Sequence, residues 1–171
     1  MKIVHIFATR LFSFHYHDEQ DNELDRLLNC WSDVEYVYNF LKQNSKDIQN
    51  ITIEELTEQI ISDANEIDDI LYKLSTDEGQ NLQTFFKQLN NQEYQLQTLS
   101  RQKGRRNYLR VYALKIDENC FVITGGAIKL TLRMDEREHT IKELQKLEKC
   151  RQYLKENSVF DSDSFYEFLT Q

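Results

Sequence analysis

The sequence contains no proline, no closely spaced pair of cysteines and no long apolar run. Its three cysteines, Cys30, Cys120 and Cys150, are far apart and odd in number, which argues against a disulfide framework or a cysteine-based zinc site. We therefore predict reduced core thiols in a cytoplasmic protein. The N-terminal stretch is interrupted by His5 and Arg10 and is too short and too polar for a secretory signal or a membrane span. Nothing in the sequence explains the lack of proline.

Common catalytic motifs are also missing. The chain has no G-x-x-x-x-G-K, G-x-S-x-G or H-E-x-x-H pattern, so a nucleotide hydrolase and the common hydrolase classes gain no support. The stretch HYHD places His15, His17 and Asp18 close together, but a metal site needs further ligands, and no other His or Cys stands near in sequence. We therefore expect no metal and no cofactor, and we interpret this stretch as a strand end that turns into solvent.

Charge is present in quantity but is unevenly distributed. The formal net charge is −8, yet residues 1–100 carry 7 basic and 18 acidic residues, whereas residues 101–151 carry 13 basic and 7 acidic ones. An acidic protein is a poor general binder of nucleic acid, but a local basic patch on an acidic body can dock on phosphate groups. The hydrophobic content of 40% in 171 residues predicts one folded domain over residues 1–171.

Three helix signals lie in the region 20–78. Apolar residues recur at helical spacing from Leu24 to Trp31, which predicts a first helix. The S-x-x-E pattern that begins at Ser32 predicts a capping box for a second helix, and the T-x-x-E pattern that begins at Thr52 opens a long third helix that ends near Gly79. The third helix has a regular apolar stripe on one face and many carboxylates on the other.

Strand signals precede and follow this helical region. The pattern of residues 2–16 predicts a strand region. An antiparallel sheet is predicted over 107–132, with a break at the Gly125-Gly126 pair, as a bulge or a bend where another backbone approaches. The basic segment just before that sheet reads as an exposed loop, and helices are predicted over 136–171. Because short turns join the consecutive strands, they must pair antiparallel. We therefore predict an α+β fold, with an antiparallel sheet of about four strands packed against several helices.

Residues 103–157 resemble the RelE/HigB-like toxins of bacterial type II toxin–antitoxin modules. In those proteins a basic segment precedes a strand like LRVYALKID, and a hairpin strand like NCFVITGGAIKLT follows it. A helix such as EREHTIKELQKLEKC then comes after the sheet. The matching positions are Arg105, Arg106, Arg110, Tyr112, Gly125, Gly126, Lys129 and Arg133. The resemblance covers roughly the last third of the chain and implies a RelE-like fold with an acidic helical insertion at 52–78.

The resemblance implies an mRNA endoribonuclease that works without a metal, for which the chain must supply acid–base groups and cations. Such cleavage needs a base for the 2′-hydroxyl proton, cations for the phosphorane and an acid for the leaving oxygen. We expect the catalytic residues to be Arg110, Tyr112, Lys129 and His139. We expect the RNA-binding residues to be Arg101, Lys103, Arg105, Arg106 and Arg133, because guanidinium and ammonium groups bind phosphate oxygens. The structural alternative is that Arg110 forms an ion pair with the acidic helices and Tyr112 packs in the core.

Two functions stay open from the sequence. The first is a RelE/HigB-like toxin that cuts mRNA on the ribosome and is held in check by a cognate antitoxin protein. The second is a non-catalytic acidic interaction protein that binds and inhibits a basic partner or a nucleic-acid-binding defence protein. No membrane partner is expected, and both enzymatic activity and homodimer formation stay open.

Overall fold

The computed structural model describes residues 1–7, 10–88, 100–106, 108–131 and 137–171. Within these ranges the strands are β1 (Lys2–His5), β2 (Leu11–His15), β3 (Phe86–Gln88), β4 (Ser100–Arg106), β5 (Leu109–Asp117) and β6 (Cys120–Ile128). The helices are α1 (Glu23–Ser32), α2 (Val34–Gln43), α3 (Ile53–Thr76), α4 (Glu138–Glu156) and α5 (Ser162–Leu169). Two short 3₁₀ turns lie at Ser45–Asp47 and Leu82–Thr84.

The first three helices begin at side-chain caps. At α3, the Thr52 hydroxyl accepts a hydrogen bond from the Glu55 amide while the Glu55 carboxylate accepts one from the Thr52 amide, so the predicted capping box is confirmed. The prediction that Ser32 caps α2 is wrong. Because α1 continues through Ser32, the cap moves to Asp33, whose side chain accepts a hydrogen bond of 2.9 Å from the Tyr36 amide.

All six described strands form one mixed sheet in the order β1-β2-β6-β5-β4-β3. Neighbouring strands are antiparallel except for β2 and β6, which pair in parallel from Leu11 opposite Phe121 to Ser13 opposite Ile123. The first hairpin therefore enters the sheet beside β6, the last of the described strands. The α+β class is confirmed. The sheet has more strands than expected, and the parallel pair was not predicted.

The basic segment before β5 is a strand, so the prediction of an exposed loop there is wrong. Residues 100–106 form β4 and pair with β5 at seven register positions, from Ser100 opposite Lys115 to Arg106 opposite Leu109. Locally the segment is polar and lacks the apolar alternation of a strand. Its pairing with a central strand supplies the backbone hydrogen bonds that override this weak local preference.

The Gly125-Gly126 pair does not end the last strand, because β6 runs on to Ile128. Gly125 lies opposite Tyr112 and Ile123 lies opposite Ala113, so Thr124 is the extra residue of a β-bulge. Of the two predicted forms of the break, the bulge is confirmed, and it lies within a continuous strand. The Thr124 hydroxyl donates a hydrogen bond of 3.1 Å to the carbonyl oxygen of Tyr112 across the bulge.

A separate hydrophobic core covers each face of the sheet. Helices α1, α2 and α3 pack on one face, which we call the α1–α3 face, and α4 and α5 pack on the other, which we call the α4–α5 face. Alternation along β5 divides its residues between the two cores. Cys120 and Cys150 are buried free thiols on the α4–α5 face, and burial raises the pKa of each to about 12. In the described ranges, no helix combines the length and the apolar character needed to cross a bilayer.

Candidate functional site

Basic residues occupy adjacent register positions on β3, β4 and β5. Exposed Lys87 lies opposite Lys103, which lies opposite Tyr112, and Arg105 lies opposite Arg110. Arg101 lies opposite Leu114 in the same alternation. We call the five basic positions of this group the basic sheet surface: Lys87, Arg101, Lys103, Arg105 and Arg110. For Arg101, Lys103, Arg105 and Arg106 the structure describes the backbone alone.

The two predicted catalytic residues on β5 are buried on the α4–α5 face. Arg110 is 8% exposed, and its Nη1 donates a hydrogen bond of 2.8 Å to the carbonyl oxygen of Leu109. Tyr112 is 1% exposed, and its buried hydroxyl has no hydrogen-bond partner in the part of the chain that the structure describes. Burial raises the pKa of Tyr112, although the nearby Arg110 charge opposes the rise. The alternative interpretation of Tyr112, in which the ring packs in the core, requires such a protonated, buried phenol.

The other predicted catalytic residues and Arg133 lie outside β5. Lys129 follows β6 and is half-buried, and its backbone amide donates a hydrogen bond of 2.7 Å to the carbonyl oxygen of Tyr108. His139 lies in the first turn of α4, where its Nε2 is 2.9 Å from the carbonyl oxygen of Ile128 and its ring makes an edge contact with Phe40. Arg133 lies outside the described residues. The structure therefore places Arg110 and Tyr112 two residues apart on one face of β5 and anchors His139 at the edge of β6.

A crevice opens where β2 and β6 separate. After Ser13 the parallel pairing ends, because β2 leads into α1 on one face of the sheet and β6 leads towards α4 on the other. In open sheets, a point where neighbouring parallel strands send their helices to opposite faces leaves a crevice at the carboxyl ends of the strands. Ligand sites occur preferentially in such crevices.

Three side chains satisfy the backbone of β6 along this crevice, where none of the described strands pairs with its outer edge. The Tyr16 hydroxyl donates a hydrogen bond of 2.6 Å to the carbonyl oxygen of Thr124. The amide of Gly126 donates one of 3.0 Å to Glu143 Oε2, and His139 caps the Ile128 carbonyl as described. Alternate residues of a strand direct their amides and carbonyls to the same side, so all three groups belong to one edge.

Four charged side chains link α1 to α4 across the crevice. Arg26 Nη2 lies 2.7 Å from Glu23 Oε1, and Lys146 Nζ contacts both Glu23 and Glu143, the latter at 3.2 Å. Glu23 is 1% exposed, and its carboxylate is compensated by both cations. Burial raises the pKa of Glu143, with Lys146 opposing the rise and Glu23 adding to it. The four formal charges cancel, so we call this group the neutral ion cluster.

Glycine at 125 is required by the close approach of α4. A Cβ atom built on Gly125 would lie 2.0 Å from Glu143 Oε2 and 2.7 Å from Lys146 Cε. On the opposite face, a Cβ atom on Gly126 would lie 2.5 Å from the carbonyl oxygen of Arg110 and 2.8 Å from Leu27 Cδ1. The glycine pair therefore lets a helix approach the strand from each side.

The crevice contains a cavity of about 140 Å³. Its walls combine apolar and aromatic side chains with a few polar groups, and include Leu27, Trp31, Phe40 and Ile128 together with Arg26, Cys30, Tyr36, His139 and Glu143. Sequence reasoning singled out His139 alone among the polar residues here. A signal was nevertheless present, because α1 and α4 each carry an acid–x–x–base pair, Glu23 with Arg26 and Glu143 with Lys146.

The two histidines of the stretch HYHD contact Glu19 and Met1. His15 Nε2 lies 3.0 Å from the carbonyl oxygen of Glu19, and His17 Nε2 lies 2.6 Å from the amino group of Met1. Across the described ranges, no group of three or more His, Cys, Asp or Glu side chains is arranged to hold a metal ion.

Comparison with known proteins adds no family assignment. No protein-family model matches this sequence, and neither the curated proteins nor the solved structures yielded a significant match.

Proposed function

We propose that this protein binds RNA through its basic sheet surface and acts as a RelE/HigB-like toxin that cleaves mRNA and is neutralised by a cognate antitoxin. The observation that supports the proposal best is the register of β3, β4 and β5, which puts Lys87, Lys103, Arg105 and Arg110 at neighbouring positions on adjacent strands. No acidic residue occurs in β3 or β4, and β5 carries none before Asp117.

Electrostatics explains how such a surface can function on an acidic body. A single-stranded RNA carries a charge at each phosphate, and each phosphate neutralised by Lys or Arg contributes about −0.7 to the slope of log affinity against log salt concentration. The Debye length at physiological salt is about 8 Å, so distant carboxylates are screened while contacting cations are not. A local cluster of basic residues can therefore outweigh the net charge of −8 at short range.

RNA binding is tested by fluorescence anisotropy with a labelled single-stranded oligoribonucleotide at several salt concentrations. The variant carries Lys87→Ala, Lys103→Ala and Arg105→Ala, and the matched control carries Lys42→Ala on the exposed surface of α2. Loss of three phosphate contacts should reduce the salt slope by about 2 and weaken binding at low salt. Equal binding and equal salt slopes for variant and control would remove the proposal.

Cleavage is tested by expressing the chain alone in a bacterium. We expect growth arrest, and we expect Arg110→Ala combined with Lys129→Ala to relieve it, because the phosphorane would lose two stabilising cations. Since Arg110 is buried, circular dichroism must first show that the double variant is folded. Harmless expression of the intact chain, together with RNA binding in the previous assay, would leave a binding protein without nuclease activity.

A second candidate function is the acidic interaction protein. Its support is a cluster of three carboxylates, Asp25 of α1 with Asp68 and Asp69 of α3. Burial is the largest cause of the raised pKa of Asp68, and the charges of Asp69 and Asp25 add to it. Such a negatively charged surface can attract a basic partner. A pull-down from native lysate tests it: recovery of a basic DNA-binding or defence protein, lost in Asp68→Asn with Asp69→Asn, supports this function. Recovery of ribosomes alone removes it.

A further inference from the structure

We propose that the crevice beside the end of β6, where α1, α2 and α4 line the cavity, binds a small neutral planar ligand whose edge carries a hydrogen-bond donor beside an acceptor, the pattern of a cyclic amide such as a nucleobase. Glu143 would accept from the donor, Arg26 would donate to the acceptor, and the aromatic walls would hold the ring. This inference is separate from the proposed RNA contact. That contact involves β3, β4 and β5, whereas the crevice lies beside β6.

The position of the crevice is the first support. It lies at the carboxyl ends of the parallel pair β2 and β6, where α1 and α4 leave on opposite faces. At such switch points the loops and helix starts splay apart and leave a concavity that the sheet itself cannot fill. In this protein the concavity is only partly filled, since a volume of about 140 Å³ is left between Trp31, Phe40 and Gly126.

Size and wall chemistry restrict the ligand. One water molecule occupies about 30 Å³ of the liquid, so the cavity has room for roughly four or five waters or for one small ring. Trp31 and Phe40 supply aromatic surface, and Leu27 and Ile128 supply aliphatic surface. A flat ring buries its apolar faces against such walls while its polar edge can meet a few fixed groups.

The polar groups determine which edge fits. The two oxygens of Glu143 contact the Gly126 amide and Lys146, and an ionised carboxylate can accept about four hydrogen bonds in all. Arg26 donates to Glu23 from Nε and Nη2, so the described bonds involve two of the three nitrogens of its guanidinium group. The site therefore offers an acceptor and a donor, which matches the N–H and C=O of a cyclic amide.

The charge balance argues for a neutral ligand. Glu23 and Glu143 are already compensated by Arg26 and Lys146, and a buried charge that lacks a partner is costly. A cationic or anionic ligand would unbalance the neutral ion cluster, whereas a neutral amide edge adds hydrogen bonds without adding charge. The raised pKa of Glu143 agrees with a carboxylate that lacks part of its usual solvation.

Binding is tested by two-dimensional NMR of the intact ¹⁵N-labelled protein titrated with uracil. We expect the Gly126 amide and the Trp31 indole N–H to shift in the millimolar range. The matched ligand 1,3-dimethyluracil keeps the ring and the carbonyls but lacks both N–H donors, so we expect about tenfold weaker binding, as for loss of one hydrogen bond. Benzamidine and benzoate serve as cationic and anionic ring controls.

Two variants assign the site. Glu143→Gln keeps an acceptor for the Gly126 amide but removes the carboxylate, and should weaken uracil binding about tenfold. Lys142→Ala, on the exposed side of the same helix, should leave it unchanged. The proposal fails if uracil causes no shift at Gly126 or Trp31, if dimethyluracil binds equally well, or if benzamidine or benzoate binds more tightly. Uracil binding by a variant that has lost RNA affinity through Lys87, Lys103 and Arg105 would separate this site from the proposed function.

Discussion

The close approach of α4 to Gly125 allows one quantitative prediction about stability. Replacing Gly125 with alanine puts a methyl group 2.0 Å from Glu143 Oε2 and 2.7 Å from Lys146 Cε, both of which must move. Gly125 does not have a positive φ, so alanine fits the backbone and the whole cost is steric. If the carboxylate moves away, it no longer accepts from the Gly126 amide, and that amide is left unsatisfied beside the ion cluster.

The expected cost of Gly125→Ala follows from these contacts. A hydrogen bond to a charged group contributes about 1.5–3 kcal/mol, and overpacking of a tight contact costs about 1–3 kcal/mol. Because Glu143 is a side chain that can rotate, part of the overpacking is relieved, and we expect a loss of about 2–4 kcal/mol in the free energy of unfolding. Urea denaturation followed by circular dichroism measures this loss.

A double-mutant cycle identifies the cause. Glu143→Ala removes the clashing atom, so Gly125→Ala should cost at least about 1.5 kcal/mol less in that background than in the original chain. The matched control is Gly79→Ala, whose added Cβ lies 3.4 Å from Asp77 Oδ1, an ordinary contact distance. The reasoning is refuted if Gly125→Ala costs no more than Gly79→Ala, or if the Gly125 and Glu143 changes are additive.

Three further predictions concern buried polar groups. Tyr112→Phe removes a hydroxyl that has no partner among the described residues, so the free energy of unfolding should stay equal or rise by up to about 1 kcal/mol in urea denaturation. A fall of more than about 1 kcal/mol in the free energy of unfolding would show that the hydroxyl has a partner. Tyr16→Phe leaves the Thr124 carbonyl unsatisfied and should cost about 1–3 kcal/mol in the same assay, and an unchanged urea midpoint would contradict this. The pKa of Glu143 in the folded protein is raised above its usual 4.5. The stability that this shift contributes is therefore fully present below pH 4.5 and is lost as pH rises through the folded pKa. The stability of the original chain relative to Glu143→Gln should therefore fall from pH 4 towards neutrality, and a rise would refute the sign.

Local signals in the sequence predicted the helices better than the sheet. The periodicity from Leu24 to Trp31 and the T-x-x-E pattern at Thr52 depend on residues three or four apart, so they could be read directly. The start of α2 was misplaced by one residue because Ser32 and Asp33 are both good caps, and only the length of α1 decides between them.

Long-range pairing explains what the sequence could not predict. Strand β4 has no apolar alternation, and it exists because β5 offers a partner for each of its residues. The parallel contact of β2 with β6 joins segments about a hundred residues apart, and no local pattern encodes that choice. The crevice and its ion cluster follow from this contact, which is why Glu143 and Arg26 were not recognised as site residues.

The register joins the two candidate regions through one row of the sheet. Lys87, Lys103, Tyr112 and Gly125 lie opposite one another in turn, and Glu143 approaches Gly125 at the end of that row. The pKa of Tyr112 is raised by burial and further by the Glu143 charge, while Arg110 lowers it, so charges from both regions act on this buried phenol. A ligand that neutralises or displaces the Glu143 charge would therefore change the electrostatic field at Tyr112 without moving a strand. Because coupling between two binding sites is reciprocal, any effect of a crevice ligand on RNA affinity would be matched by an equal effect of RNA on affinity in the crevice.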